Sequence, residues 1–197
     1  MITFKQFLLE DNLDIPKLCA KFITESQGLP LFRGSTNLHK EPIVVKVRKD
    51  REPMTTGKTV HYALDKYFLE KFNMTPRSGG CFSTGKISTA EKYGKPYFIL
   101  PIGDFKYMWA TMEKEPVDDT YDIVMKIKGF GNSTADATEV FNNMERAFSL
   151  FDIEWHVDGL PAAIKNGAEI ALVCDKVLYI PIDEFETVEK QYLEIIK

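Results

Sequence analysis

Apolar residues recur at helical spacing in several stretches of the chain, and these stretches predict its helices. In residues 14–27, Leu18, Phe22 and Ile23 belong to an apolar stripe that stops before Gly28. The predicted helices cover residues 1–10, 14–27, 59–72, 88–93 and 137–148, with another between residues 118 and 129 and a last one from residue 183.

Short apolar stretches that are rich in β-branched residues and bounded by Gly, Pro, Asn or Asp predict the strands. They cover residues 29–34, 43–47, 81–84, 97–101, 105–110, 169–174 and 177–182. The last two flank Asp175 and Lys176 and are expected to form either a hairpin or one bent strand. Because strands and helices do not alternate regularly, we predict an α+β fold with a largely antiparallel sheet and flanking helices.

The length and composition limit the classes of protein to which the chain can belong. It has 197 residues, 44% of them hydrophobic, and we predict an N-terminal helical segment over residues 1–28 and one domain over residues 29–197. A net charge of −4 excludes a general positive field that would attract nucleic acid or anionic membrane. No apolar stretch approaches the roughly 20 residues of a membrane span, and the start lacks the features of a signal peptide. We therefore expect a soluble cytoplasmic protein without membrane partners.

The potential metal ligands form no complete set in the sequence. The three cysteines lie far apart, which predicts a reducing compartment. His61 and Asp65 stand four residues apart on a predicted helix, and Glu154, His156 and Asp158 alternate along an extended stretch. Each set lacks ligands for a closed site, so no bound metal is expected.

Two further patterns bear on phosphate binding. Residues 80–86 satisfy most of a phosphate-loop motif, but Ile87 follows Lys86 where the motif requires a hydroxyl for magnesium. The basic stretch over residues 46–58 contains interleaved acidic residues and is interpreted as a solvated loop that could still contact a phosphate on a ligand.

Three separated segments carry residues that fit one chemistry. Arg33 ends an apolar strand and is followed by Gly34, where a backbone can approach a ligand and a guanidinium can grip a diphosphate. Residues 82–85, Phe-Ser-Thr-Gly, form a strand with two terminal hydroxyls that leads into a short helix. Glu169 places a carboxylate at the start of a strongly apolar strand.

In their order and residue types, these segments resemble the ADP-ribosyltransferase family of the Arg-Ser-Glu type, which includes toxin-like and phage-borne transferases. The resemblance implies a split antiparallel sheet with flanking helices that binds NAD as substrate and breaks the bond between nicotinamide and ribose. It implies three catalytic residues, which are Arg33, Ser83 and Glu169.

The resemblance also implies a role for each residue. Arg33 would anchor the diphosphate or adjoining ribose, Ser83 would orient Glu169, and Glu169 would stabilise the cationic ribosyl centre. The residues expected to bind NAD are Arg33, Gly34, Phe82, Ser83, Thr84, Gly85 and Tyr93, of which Thr84 and Gly85 would shape the floor and Phe82 or Tyr93 would stack near the nicotinamide.

Two positions depart from the family pattern. Gly85 stands where the family's Ser-Thr-Ser motif has its last serine, and Gly167 stands two residues before Glu169, where family members keep Glu or Gln. The side chain that would orient an acceptor is thus absent. A host protein is the expected acceptor, and a nucleic acid or a small molecule stays open as an alternative. If water is the acceptor, the protein is an NAD glycohydrolase.

The first ten residues resemble the start of internal head proteins of large tailed phages. That resemblance implies packaging into a capsid and action in the bacterial cytoplasm during host takeover, and its alternative is a short helix that docks on its own domain. Two competing functions remain: a virion or binding protein with an inactive transferase-like fold, and a nucleic-acid-binding module that uses residues 46–58.

Overall fold

A computed structural model of the chain describes residues 15–52, 58–112, 137–150 and 152–182. Its helices are α1 (Ile15–Leu18), α2 (Ala20–Ser26), α3 (Lys58–Phe72), α4 (Pro76–Gly79), α5 (Ile87–Glu91), α6 (Ala137–Leu150) and α7 (Leu160–Asn166). Its strands are β1 (Phe32–Ser35), β2 (Ile43–Lys46), β3 (Cys81–Thr84), β4 (Lys95–Met112), β5 (Ile153–His156) and β6 (Glu169–Pro181). The helices predicted over residues 1–10, before residue 129 and from residue 183 lie outside the described residues.

The strands form one six-stranded antiparallel sheet in the order β2-β6-β3-β1-β4-β5, and β4 also pairs with β6. Helices flank this sheet, so the predicted α+β class is confirmed. The long β4–β6 ribbon is the centre of the arrangement, because four shorter strands add to its edges. Its antiparallel pairing runs from Tyr97 opposite Pro181 to Trp109 opposite Ile170.

Each of the two longest strands joins two of the predicted stretches. Residues 97–101 and 105–110 belong to one strand, β4, in which the register shifts between Ile102 and Phe105. Residues 169–174 and 177–181 likewise belong to one strand, β6, so the single strand and not the hairpin is the alternative that the structure has. Polar residues at Asp104, Asp175 and Lys176 look like turn signals, but they lie at the register shift of the ribbon, where both strands continue.

The helix prediction was most accurate where the apolar periodicity was longest. Helices α3 and α6 lie where they were expected. Within the helix predicted over residues 14–27, residues 15–26 form two short helices, α1 and α2, which are separated at the buried Cys19. The short elements α4, β5 and α7 were not predicted, because elements of four to seven residues give too little periodicity to recognise.

Two groups of buried side chains cover the sheet. The larger contains Phe22 and Cys19 of the N-terminal helices together with residues of β1, β4, β6 and α7, including the fully buried Tyr97. The smaller group lies between helices α3 and α6 and residues of β4, β5 and β6, and it includes Leu64, Phe68 and Met144. The described part of the segment before residue 28, residues 15–27, thus packs into the same core as the sheet.

Candidate functional site

The three predicted motifs meet on three neighbouring strands. Phe32 of β1 lies opposite Thr84 of β3, and Thr84 lies opposite Glu169 of β6. Arg33 follows Phe32 on β1, and Ser83 precedes Thr84 on β3. Strand pairing therefore brings together residues that are up to 136 positions apart in the sequence, from Arg33 to Glu169.

The two hydroxyls of β3 hold the main chain that leads into Glu169. The buried Ser83 donates from Oγ to the carbonyl oxygen of Ile170 at 3.1 Å, and the buried Thr84 donates from Oγ1 to the carbonyl oxygen of Gly167 at 3.2 Å. These bonds fix residues on both sides of Glu169. The expected orienting role of Ser83 therefore acts in this structure through the backbone of β6.

Glu169 is exposed at one rim of a cleft, while the next residue, Ile170, is fully buried. The cleft lies between the sheet and helices α3 and α4, and its cavity volume is about 30 Å³, room for about two water molecules. It is lined by Leu64, Phe68, Pro76, Arg77, Phe82, Met108, Trp155, Glu169 and Ala171. A carboxylate and a guanidinium thus line a largely apolar and aromatic cleft.

Arg33 is half-buried and ties β1 to β3. Its Nη1 donates to the carbonyl oxygen of Phe82 at 2.6 Å. Burial by itself lowers the pKa of Arg33, but the attraction of Cys81, Tyr179 and Glu169 outweighs it and the net shift is upward. The guanidinium therefore stays charged beside Glu169.

Two arginines that sequence reasoning did not select lie against Phe82. The guanidinium carbons of Arg51 and Arg77 stand 5.2 Å and 5.8 Å from the centroid of its ring. Arg51 also donates from Nη1 to the carbonyl oxygen of Gly80 at 2.8 Å. Arg51 belongs to the basic stretch for which a phosphate contact was considered, whereas nothing in the sequence around Arg77 pointed to a site.

Helix α4, which carries Arg77, is held by a buried carboxylate. Asp65 of α3 accepts hydrogen bonds from the amides of Arg77 and Ser78, each at 2.8 Å. The buried His61 lies one helical turn away, with Nε2 3.1 Å from Oγ of Ser78. His61 and Asp65, considered above as metal ligands, support α4 in this structure.

Packing explains both departures from the family pattern. A Cβ on Gly85 would overlap the carbonyl oxygen of Ile164, so a serine does not fit unless α7 moves. Gly167 ends α7 in the left-handed conformation, with φ of 70°, and its amide donates to the carbonyl oxygen of Ile164. A Glu or Gln at this position would be strained, and its Cβ would also meet the side chain of Lys86.

Gly34 and Tyr93, both expected to bind NAD, pack against each other. A Cβ on Gly34 would overlap the carbonyl oxygen of Ala90 and lie 2.9 Å from Cβ of Tyr93, so the glycine allows α5 to approach β1. Tyr93 is 63% exposed and is not one of the cleft-lining residues. Phe82 is therefore the aromatic residue of the two that lines the cleft.

Comparison of the chain with protein-family models, curated proteins and solved structures finds no match.

Other features of the described residues bear on the remaining expectations. No group of three His, Cys, Asp or Glu within the described ranges could hold a metal ion. Three of the five cations of the basic stretch are paired with acids, in Arg48–Asp50, Lys49–Asp175 and Lys58–Glu52. No helix in the part of the chain that the structure describes is long and apolar enough to cross a bilayer.

Proposed function

We propose that this protein is an NAD-dependent mono-ADP-ribosyltransferase with an ADP-ribosyltransferase-like split sheet. The observation that carries the proposal is the row Phe32, Thr84 and Glu169 across β1, β3 and β6, because it places the three motifs on neighbouring strands, with Glu169 at the rim of a cleft. Each motif alone is common. Their convergence in three dimensions is not required by their order in the sequence.

The reaction would begin with heterolysis of the bond between the ribose C1′ and the nicotinamide nitrogen. The electron pair leaves with nicotinamide, whose ring becomes neutral, and C1′ becomes an oxocarbenium-like centre. A nucleophile on the acceptor then bonds to C1′ and releases its proton. The enzyme must therefore stabilise positive charge on the ribose.

Glu169 is suited to that task. Its negative charge stands at the cleft rim, and hydrogen bonds from Ser83 and Thr84 hold the main chain on either side of it, so the position of the residue is fixed before the charge develops. A preorganised group of this kind contributes about 3 kcal/mol or more to transition-state stabilisation. The Phe82 ring and the apolar floor favour the nicotinamide ring.

Hydrolysis of NAD is a second candidate, favoured by Gly167. The left-handed turn at this residue excludes the acidic or amide side chain that would orient an acceptor. Water could then take the acceptor's place. The residues on which virion packaging would depend, 1–10, lie outside the described residues, so packaging stays a prediction from the sequence.

The test is release of nicotinamide from labelled NAD by the purified protein, with and without bacterial lysate. We expect Glu169→Gln to lower the rate at least about 100-fold and to change the free energy of unfolding by less than about 0.5 kcal/mol. Glu154→Gln, which removes an equal charge from an exposed carboxylate on β5, is the matched control and should keep the wild-type rate.

The outcomes separate the candidates. Release that needs lysate, with label transferred to a macromolecule, supports a transferase. Release without lysate, yielding free ADP-ribose, supports the glycohydrolase. A wild-type protein that is inert with NAD under both conditions contradicts both.

A further inference from the structure

The short helix α4 takes its N-terminal cap from another helix. Thr75, the residue before α4, makes no side-chain hydrogen bond to the first turn. Instead, Oδ1 and Oδ2 of Asp65 on α3 accept from the amides of Arg77 and Ser78, each at 2.8 Å. The first amides of a helix have no acceptor within the helix and need one from outside it. The start of α4 thus depends on the carboxylate of Asp65.

His61 lies one helical turn before Asp65 and contacts the same short helix. It is 3% exposed, and its Nε2 stands 3.1 Å from Oγ of Ser78. Its Nδ1 is buried and has no hydrogen-bond partner among the described residues. A neutral imidazole carries one N–H, whereas an imidazolium carries two and needs two acceptors. The hydrogen-bonding surroundings of His61 therefore suit its neutral form.

The charges around the ring also disfavour a cation on balance. Burial lowers the pKa of His61 and is the largest effect. Asp65 and the main chain of Arg51 raise this pKa, while the charges of Arg77 and Arg51 lower it, and the net shift is downward. The titratable or charged groups that face His61 are Tyr62 and Asp65 of α3, Arg77 of α4, and Arg51 and Glu52 of the basic stretch.

The two acids of this group differ in what they could offer a protonated ring. Glu52 is exposed and paired with Lys58, whereas Asp65 is buried one helical turn from His61. Residues four apart on a helix are neighbours, so an imidazolium at His61 would attract Asp65 before Glu52. The carboxylate that a charged His61 needs is therefore the one that holds α4.

We propose that His61 is a pH-sensitive latch that keeps α4 closed while its ring is neutral. A proton that the ring takes from solvent makes it compete with the amides of Arg77 and Ser78 for Asp65, and this releases the start of α4. Because Pro76 and Arg77 line the cleft, release changes one wall of the cleft. The inference does not depend on the proposed reaction.

The direction of the pH dependence follows from the lowered pKa of His61. In the open state the ring has the ordinary pKa of histidine, near 6.5, so the open state binds a proton more tightly than the closed state. The latch is therefore fully closed above that value, and it opens progressively as the pH falls below it.

The test is hydrogen exchange of the amides of Arg77 and Ser78 in the full chain, followed by NMR at pH 7, 6 and 5 and corrected for the intrinsic effect of pH. We expect the protection of both amides to fall about fivefold or more between pH 7 and pH 5. The amide of Ala163 in α7, which donates to the Gly159 carbonyl, is the internal control and should change less than about twofold.

The three histidines of the chain allow matched variants. His61→Gln keeps a group that can hydrogen-bond Ser78 but has no charge at either pH, so its two amides should be protected equally at pH 7 and pH 5, within about twofold. His39→Gln and His156→Gln alter histidines of the β1–β2 loop and of β5, and each should keep the wild-type fall.

Any of three results overturns the latch. They are protection in the wild type that does not change with pH, an equal fall at Ala163, which would mean global opening, and a wild-type fall that persists in folded His61→Gln. If His61→Gln does not fold, the imidazole signals of the wild type decide. We expect His61 to titrate over the interval in which protection is lost, and titration without that loss contradicts the proposal.

The latch and the proposed function can fail separately. Hydrogen exchange reports the main chain of α4 and needs neither NAD nor release of nicotinamide. A pH-dependent α4 in a protein that is inert with NAD supports the latch and contradicts the enzyme. An active enzyme in which α4 is equally protected at pH 7 and pH 5 has the opposite meaning.

Discussion

The proximal end of β6, which begins at Glu169, and its distal end, residues 177–180, are both paired with strands on either side but differ in exposure to solvent. Residues 177–179 pair with β2 and β4, and residues 170–172 pair with β3 and β4, so each end is central in the sheet. At the distal end, Val177, Leu178 and Ile180 are essentially inaccessible to solvent. At the proximal end, exposed Glu169 comes directly before buried Ile170.

The difference teaches where this fold can keep a charge. An ionised group in the distal end would lose its hydration without compensation, whereas Glu169 keeps contact with the open cleft. The sheet supplies a rigid main chain to both ends. Residues 170–172 are as buried as residues 177–179, so the proximal end differs from the distal end at its first residue, Glu169, which lies at the rim of the cleft.

The largest expected effect is on stability, from truncation at the distal end. Leu178→Ala should lower the free energy of unfolding by about 3 kcal/mol, because Leu178 is 1% exposed and its removal leaves a cavity. Urea unfolding measures the change. If the two ends are independent, the folded variant keeps the wild-type rate of nicotinamide release, and a loss as large as that of Glu169→Gln would contradict the separation.

The next effect concerns the packing behind the proximal end. Gly85→Ala should cost about 2 kcal/mol or more, because the added Cβ overlaps the carbonyl of Ile164. Gly103→Ala is the matched control, since Gly103 has a φ of 73° and open space around it, and it should cost about 1 kcal/mol through backbone strain alone. Equal losses in urea unfolding would mean that α7 moves easily and that Gly85 is not required for packing.

The smallest expected effect, counted per thiol, is a loss of stability at alkaline pH. Burial raises the pKa of Cys19 and Cys174 to about 12, above the value near 9 of a free thiol. Between these values the unfolded chain loses a proton that the folded chain keeps, so stability is complete below pH 9 and falls as the pH rises. The expected loss is about 1.4 kcal/mol per thiol at pH 10.

Urea unfolding at pH 8, 9 and 10 measures this dependence. Cys19→Ala and Cys174→Ala should each reduce the loss between pH 8 and 10 by one thiol's share, relative to the wild type. A variant with the wild-type slope would show that its thiol is reached by solvent. For Cys174, which lies between the two ends of β6, that result would extend the open region beyond the cleft.

The sequence by itself determined the features that depend on local patterns. The long apolar stripe in residues 59–72 predicted α3, the apolar run before Ser83 predicted β3, and the lack of regular alternation predicted an antiparallel α+β fold. The residues of the three motifs could also be selected from the sequence, because a charge beside an apolar strand is visible there. These features need only neighbours along the chain.

Only the tertiary structure decided how those pieces meet. Strand register placed Phe32, Thr84 and Glu169 in one row, and it joined residues on both sides of Asp175 into a single strand. Folding of α4 onto Asp65 brought Arg77 to Phe82, although no local pattern marks either contact. The physical reason is that register and packing arise from contacts between residues far apart in the sequence, where one residue of slip would turn each side chain to the other face.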